Sequence, residues 1–200
     1  MSKFNPTIVI AFMGVDGSGK STLIKHLNKS LKKNYKKIKN LHLRPYFFLT
    51  DKSIVNKNPH DQKPVRTQFV SFIMIIVWLI IYYIFFLINL NKKNQLIIFD
   101  RYVHDLLIDK VRYRFNLPIK FTQYVLNLFP KPHLWIILKA PIKLIEKRKK
   151  EMPTDELRRQ MSEYLTIFKK KKNLLILDTK NNIPKNILLI VKKMKSIIKN

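Results

Sequence analysis

The apolar positions of this chain follow two rhythms. Thr7 to Met13 is an unbroken apolar and β-branched run that stops at Gly14, the pattern of a strand buried on both faces. From Ser21 to Tyr35 the spacing changes, and Leu23, Ile24, Leu27 and Leu31 recur as one helical face. The same reading predicts strands over Ile38–Leu43, Leu96–Phe99, His133–Leu138 and Leu174–Leu177, and helices over 142–150, 157–168 and 187–198. Strands alternating with helices predict an α/β fold, a five-stranded parallel sheet with helices on both faces. No internal repeat or long linker interrupts the pattern, so a single domain over residues 1–200 is expected.

One segment breaks the alternation. Phe69 to Leu90 carries no charge and is long enough to cross a bilayer, inserted between the second and third strands. A crossing there would part Lys20 from Asp100, two residues that one nucleotide site would need together. Basic flanks on both sides, Lys63 and Arg66 before and Lys92 and Lys93 after, give no orientation. The expectation is therefore a helix in the core or along an acceptor site, with an interface to membrane or partner as the alternative and a true span as the last reading.

Charge alters the picture less than its size suggests. Lys and Arg number 40 against 12 Asp and Glu, a formal charge of +28. The basic residues are mostly scattered lysines in a chain rich in Lys, Asn and Ile, and no nucleic-acid recognition module is visible. General bias thus explains the charge better than a nucleic-acid surface, although anionic small molecules would still be steered inward. Cysteine is absent, which excludes disulfides, thiolate zinc sites and cysteine nucleophiles. Met1 to Pro6 is short and polar, and the apolar run behind it is too short for a secretion signal. A cytoplasmic location is expected, with peripheral contact at the inner membrane face as its extension through 69–90.

The chemistry is concentrated in Gly14-Val15-Asp16-Gly17-Ser18-Gly19-Lys20-Ser21. This is G-x-x-x-x-G-K-[ST] between a predicted strand and a predicted helix, a loop whose backbone amides cradle phosphates. Gly14, Gly17 and Gly19 are all 3 glycines of the chain, kept where a side chain would block a phosphate. In such a loop Lys20 reaches the β- and γ-phosphates of ATP and the Ser21 hydroxyl ligates Mg²⁺. The strand Leu96 to Phe99 ends in Asp100, a second acidic anchor. Asp100 either holds the metal through water or receives the acceptor's proton, and the sequence leaves both roles open.

The loop continuing to Thr22, with Asp16 inside it, and the tetrad Phe99-Asp100-Arg101-Tyr102 resemble the thymidylate kinase family of P-loop phosphotransferases. Leu134 to Leu138 followed by Pro141, Ile145, Arg148 and Lys149 is similar to that family's strand, proline, helix and basic lid. Leu177-Asp178-Thr179 is similar to its last strand, whose following loop lies near the adenine. The resemblance implies a three-layer P-loop NTPase fold with a basic lid, and a kinase that uses ATP and Mg²⁺. It further implies that residues 14–22 bind ATP, that Lys20, Asp100, Arg101 and Arg148 are catalytic, and that Asp16, Arg44, Arg101 and Tyr102 meet the acceptor. Arg148, Arg158 and Arg159 would form the lid, and Ser21 and Asp100 would face the metal. The first acceptor implied is a nucleoside monophosphate such as dTMP, and a homodimer is a further expectation. Two departures count against thymine specificity. The family's Arg-Glu-Pro-Gly is here Arg44-Pro45-Tyr46, and 69–90 replaces the base-recognition stretch. They open a second acceptor class, a sugar or lipid-linked acceptor at the membrane face, and a non-catalytic nucleotide switch as a third reading.

Overall fold

The computed structural model describes residues 6–43, 64–148 and 152–199. Five strands form one sheet in the order β2-β3-β1-β4-β5: β1 (Ile8–Met13), β2 (Lys37–His42), β3 (Gln95–Asp100), β4 (Leu134–Lys139) and β5 (Leu174–Asp178). Every pairing is parallel. The central strand β1 is buried at all six positions, which is why its sequence shows no polar alternation. At the edge, β2 is mostly exposed or half-buried, in keeping with Lys37, Lys39 and His42 along it.

Strand pleating splits the core in two. Ile8, Ile10, Phe12, Ile98 and Ile136 point to one face, where they meet α1 (Lys20–Leu31) and α8 (Ile183–Lys199). Val9, Ala11, Phe99, Trp135 and Ile137 point to the other, against α2 (Gln68–Leu90) and α7 (Thr154–Phe168). The result is the expected three-layer α/β architecture, with α6 (Ile142–Arg148) following β4.

Between β3 and β4 the chain forms α3 (Asp105–Ile108), α4 (Lys110–Tyr113) and α5 (Ile119–Leu128), none of which the sequence pattern predicts. The first two are four residues each, too short to show a period. Helix α8 begins four residues ahead of its expected start at Ile187. There the Asn182 side chain accepts the Lys185 N–H at 2.9 Å and Pro184 occupies the first turn, where a missing N–H is tolerated.

The segment 69–90 is α2, and it lies along the sheet. Tyr82 is fully buried, stacks on Phe99 with ring centroids 5.6 Å apart, and donates from its hydroxyl to Leu43 O at 2.8 Å. Phe85 and Phe86 pack on the same Phe99 ring. One face of the helix is thus spent on the core, and the opposite face is exposed.

Candidate functional site

Parallel strands deliver their C-terminal ends to one edge of the sheet, and the candidate site forms there. Register places Asp100 beside Phe12 of β1 and beside His42 of β2. A cavity of about 590 Å³ opens at this edge, lined by the glycine loop, Lys20, Ser21, Thr22, Asp100, Arg101 and Arg148 among others.

The loop's backbone depends on its glycines. Gly14, Gly17 and Gly19 have φ of 136°, 77° and 91°, all in the region L side chains avoid. A Cβ on Gly14 would also stand 2.9 Å from the carbonyl oxygen of Leu138 in β4. Gly19 is the N-cap of α1 and supplies no side-chain cap, so the helix presents its first amides at the loop. Lys20 is 5% exposed and donates from Nζ to Gly14 O at 2.6 Å and Val15 O at 2.8 Å. Burial pushes its pKa down to about 8, with Arg101 adding to the effect and Asp100, Asp16 and Asp105 opposing it.

Asp16, in the middle of the loop, bridges two arginines. Arg101 donates from Nη2 to Asp16 Oδ1, and Arg112 of α4 donates from Nη1 to Asp16 Oδ2. Burial alone would raise the Asp16 pKa, but Arg101, Lys20 and Arg112 hold the carboxylate far below its usual range. Arg101 itself is 2% exposed, and its Nη1 reaches Asp105 Oδ2 at 2.5 Å and the Tyr164 hydroxyl at 3.2 Å. The Tyr164 hydroxyl in turn donates to Asp105 Oδ1 at 2.9 Å. Arg101 adopts a φ of 76°, an uncommon conformation for a non-glycine residue, just after its N–H bonds Phe12 O at 2.9 Å.

Not every residue named by resemblance lies at the cavity. Arg101 lines the cavity, with its guanidinium engaged by two carboxylates and a tyrosine. Arg112 lines the same cavity, and only its Nη1 meets a side-chain partner among the described residues. Tyr102 points into the core: it is fully buried, its hydroxyl bonds Pro130 O, and its ring lies edge-on to Tyr82, Phe99 and Trp135. It is not part of the cavity. Arg158 and Arg159 also stay outside it. Arg158 is 67% exposed beside Asp155, and Arg159 is clamped by Glu156 and Glu163 on α7 and by Ile108 O. Arg148 does reach the loop, 3.4 Å from Gly17 O. Arg44 falls outside the described residues, as do Pro45 and Tyr46.

Arg112 and Asp105 escaped the sequence reading because no motif marks α3 and α4. A usable signal existed, since Asp105 sits four residues after Arg101 in a chain with 12 carboxylates. Thr179, Asn181 and Asn186, after β5, line the cavity too, in the stretch where the resemblance placed the adenine. Asn186 is 3% exposed; its Nδ2 donates to Asp178 O at 3.1 Å, and its Oδ1 has no hydrogen-bond partner among the described residues.

The donor set fits magnesium. Asp100 Oδ1 is buried without a hydrogen-bond partner among the described residues, and Ser21 lines the same cavity. Both are hard oxygen donors of the kind Mg²⁺ takes, usually with nucleotide phosphates and water completing the shell. No group of three or more His, Cys, Asp or Glu that could hold a metal alone occurs among the described residues.

A glycine loop between a buried central strand and its helix, facing an acidic strand end on the neighbouring strand, is the phosphate-binding edge of a P-loop NTPase fold. No protein-family model matches the chain, and no curated protein matches it. Among solved structures it is similar to the thymidylate kinase from Candida albicans, with a TM-score of 0.64 over 96% of this chain and 92% of that one at 17% identity. It is also similar to the thymidylate kinase from Ehrlichia chaffeensis, with a TM-score of 0.59 over 94% of this chain and 99% of that one at 14% identity. These likenesses show that the chain has the thymidylate kinase P-loop fold.

Proposed function

We propose that this chain transfers the γ-phosphoryl group of Mg-ATP to a phosphorylated acceptor, a nucleoside monophosphate first, with dTMP as the first to test. The observation that carries the reading is the convergence of Lys20, Asp100, Asp16 and Arg112 on one cavity with the glycine loop. In that cavity the loop amides and the Lys20 ammonium bind the donor's phosphates. Arg148, reaching from α6, offsets the negative charge that spreads over the transferring group. Bound Mg²⁺ would supply charge neutralisation between the phosphates, held by Ser21 and Asp100.

Arg101 fixes Asp16 and the loop, and so acts through position. Arg112 offers the nitrogens not committed to Asp16 to an anionic acceptor, a task for which a planar guanidinium is suited. Transfer then relies on alignment and electrostatics, with no covalent intermediate on the protein.

A second acceptor class, a sugar or lipid-linked acceptor, draws support from the exposed apolar face of α2 near α4. The deciding experiment is ADP release by the full chain with Mg-ATP, without acceptor and with dTMP, other nucleoside monophosphates and lipid-linked phosphates. Lys20→Ala is the blank. Stimulation by a monophosphate supports the first reading. Stimulation only by lipid-linked phosphate supports the second, and ATP binding with no stimulated turnover overturns both in favour of a switch.

A further inference from the structure

Helix α2 has two apolar faces, and the sheet covers one. Ser71, Ile75, Tyr82, Phe85, Phe86 and Asn89 are the buried positions. On the opposite side Phe69, Ile73, Val77, Ile80, Ile84 and Leu87 are between 45% and 72% exposed. Their spacing of three and four residues keeps them on one stripe, roughly 27 Å long at 1.5 Å per residue. Soluble surfaces rarely expose a continuous apolar stripe of this kind without an occupant.

The stripe continues onto α5. Phe72 and Phe121 have ring centroids 5.9 Å apart, and the Tyr83 hydroxyl donates to Leu128 O at 2.6 Å. On α5, Ile119 is 55% and Tyr124 is 67% exposed.

The exposed charges on the described residues of α2 and α5 and at their ends have one sign. From residue 64 to residue 145 the only carboxylates are Asp100, Asp105 and Asp109. Asp105 and Asp109 are buried, and Asp100 lines the nucleotide cavity. Exposed Lys92 and Lys93 follow the end of α2, and exposed Lys120 lies on α5. A second copy of the chain would set the same lysines against one another at this face. An anionic surface would meet both its apolar stripe and its basic border.

We propose that the exposed face of α2 and α5 docks on an anionic lipid bilayer, with the helix axis lying in the interface. Apolar side chains enter the acyl boundary, and the flanking lysines face anionic headgroups. The start of α2 lies beside α4: the Arg66 N–H bonds Arg114 O at 3.1 Å, two residues beyond the Arg112 that meets Asp16. Docking therefore holds the acceptor side of the cavity near the membrane surface.

Flotation of the full chain with vesicles tests this, using phosphatidylcholine alone and phosphatidylcholine mixed with phosphatidylglycerol. The chain is expected to float with the anionic vesicles, and less so as salt is raised. The triple variant Phe69→Ser, Ile80→Ser, Leu87→Ser should lose more than about tenfold of that binding. Its circular dichroism and ATP affinity should remain those of the parent, because these side chains lie outside the core and the cavity. Lys92→Gln with Lys93→Gln should weaken binding to anionic vesicles alone. Absence of flotation, unchanged flotation of the folded triple variant, or a dimer that the triple variant abolishes without any vesicle binding would each overturn the proposal. The readout needs no turnover, so its failure leaves the kinase reading standing, and the reverse holds too.

Discussion

Arg101 and Asp16 are joined by a buried ion pair that ties the end of β3 to the middle of the glycine loop, across 85 positions of sequence. The same guanidinium holds Asp105, which is fully buried and would otherwise lack a counter-charge. The geometry of the phosphate loop thereby depends on a residue far from it in the chain.

Removing that cation should be costly. Arg101→Ala is expected to destabilise the fold by ~3–5 kcal/mol, because Asp105 stays buried and unpaired by charge. Arg101→Lys should recover little, since one ammonium cannot span Asp16 and Asp105 as the fork does. Urea midpoints of the two variants test this; a Lys variant as stable as the parent would refute the bridging role.

Arg112→Ala should behave differently. Its side chain is 14% exposed and outside the core, so a smaller stability loss is expected than for Arg101→Ala. Acceptor KM should rise by about 10- to 100-fold, the equivalent of one lost charge-assisted hydrogen bond, with ATP affinity little changed. Steady-state kinetics on the best acceptor separates the two arginines.

Lys20 gives nucleotide binding a pH dependence. Its ammonium is the form that binds phosphate, and the free protein begins to lose that proton near pH 8, below the ordinary lysine value of 10.5. A bound polyphosphate favours the charged form, so binding takes up a proton above pH 8. Affinity for ATP should therefore fall as pH rises through about 8, and level off below it. Calorimetry in buffers of different ionisation enthalpy would show the proton uptake; a flat profile from pH 7 to about 10 would contradict it.

His104 links stability to mild acid. It is 5% exposed among Tyr102, Trp135 and Phe168, and burial, then Lys171, pushes its pKa down to about 3 from 6.5. Below pH 6.5 the unfolded chain binds a proton that the folded one refuses, so this contribution to stability declines by up to ~1.4 kcal/mol per pH unit until the folded value is reached. His104→Phe should reduce the loss between pH 7 and pH 4.5, measured by chemical denaturation. An unchanged slope would show that His104 is not its source.

Gly14→Ala probes the loop from the backbone. The substitution forces a Cβ at φ 136° to within 2.9 Å of the Leu138 carbonyl oxygen. Roughly 1–3 kcal/mol of strain is expected, together with loss of ATP binding as the amides are displaced. A variant that binds ATP normally would show that the loop can give way.

Much of the fold was legible because local rules and burial agree in this chain. Thr7 to Met13 could only be a doubly covered strand, and the three glycines could only serve a loop with positive φ. Asp100 was visible as a carboxylate ending an apolar strand. The helices α3 and α4 were not visible, since four residues show no period, and with them went Asp105 and Arg112. Tyr102 was misread because the motif around it says nothing about which side of the sheet edge a side chain takes.

Sequence alone determined the alternation of strands and helices, the phosphate loop and its acidic partner, since each rests on residues close together in the chain. Only the tertiary structure decided which arginine is enclosed and which faces the cavity. It also decided that α2 gives one apolar face to Phe99 and leaves the other uncovered. Hydrophobicity along a uniformly apolar helix carries no phase, so the choice of buried face is made by the sheet against which it packs.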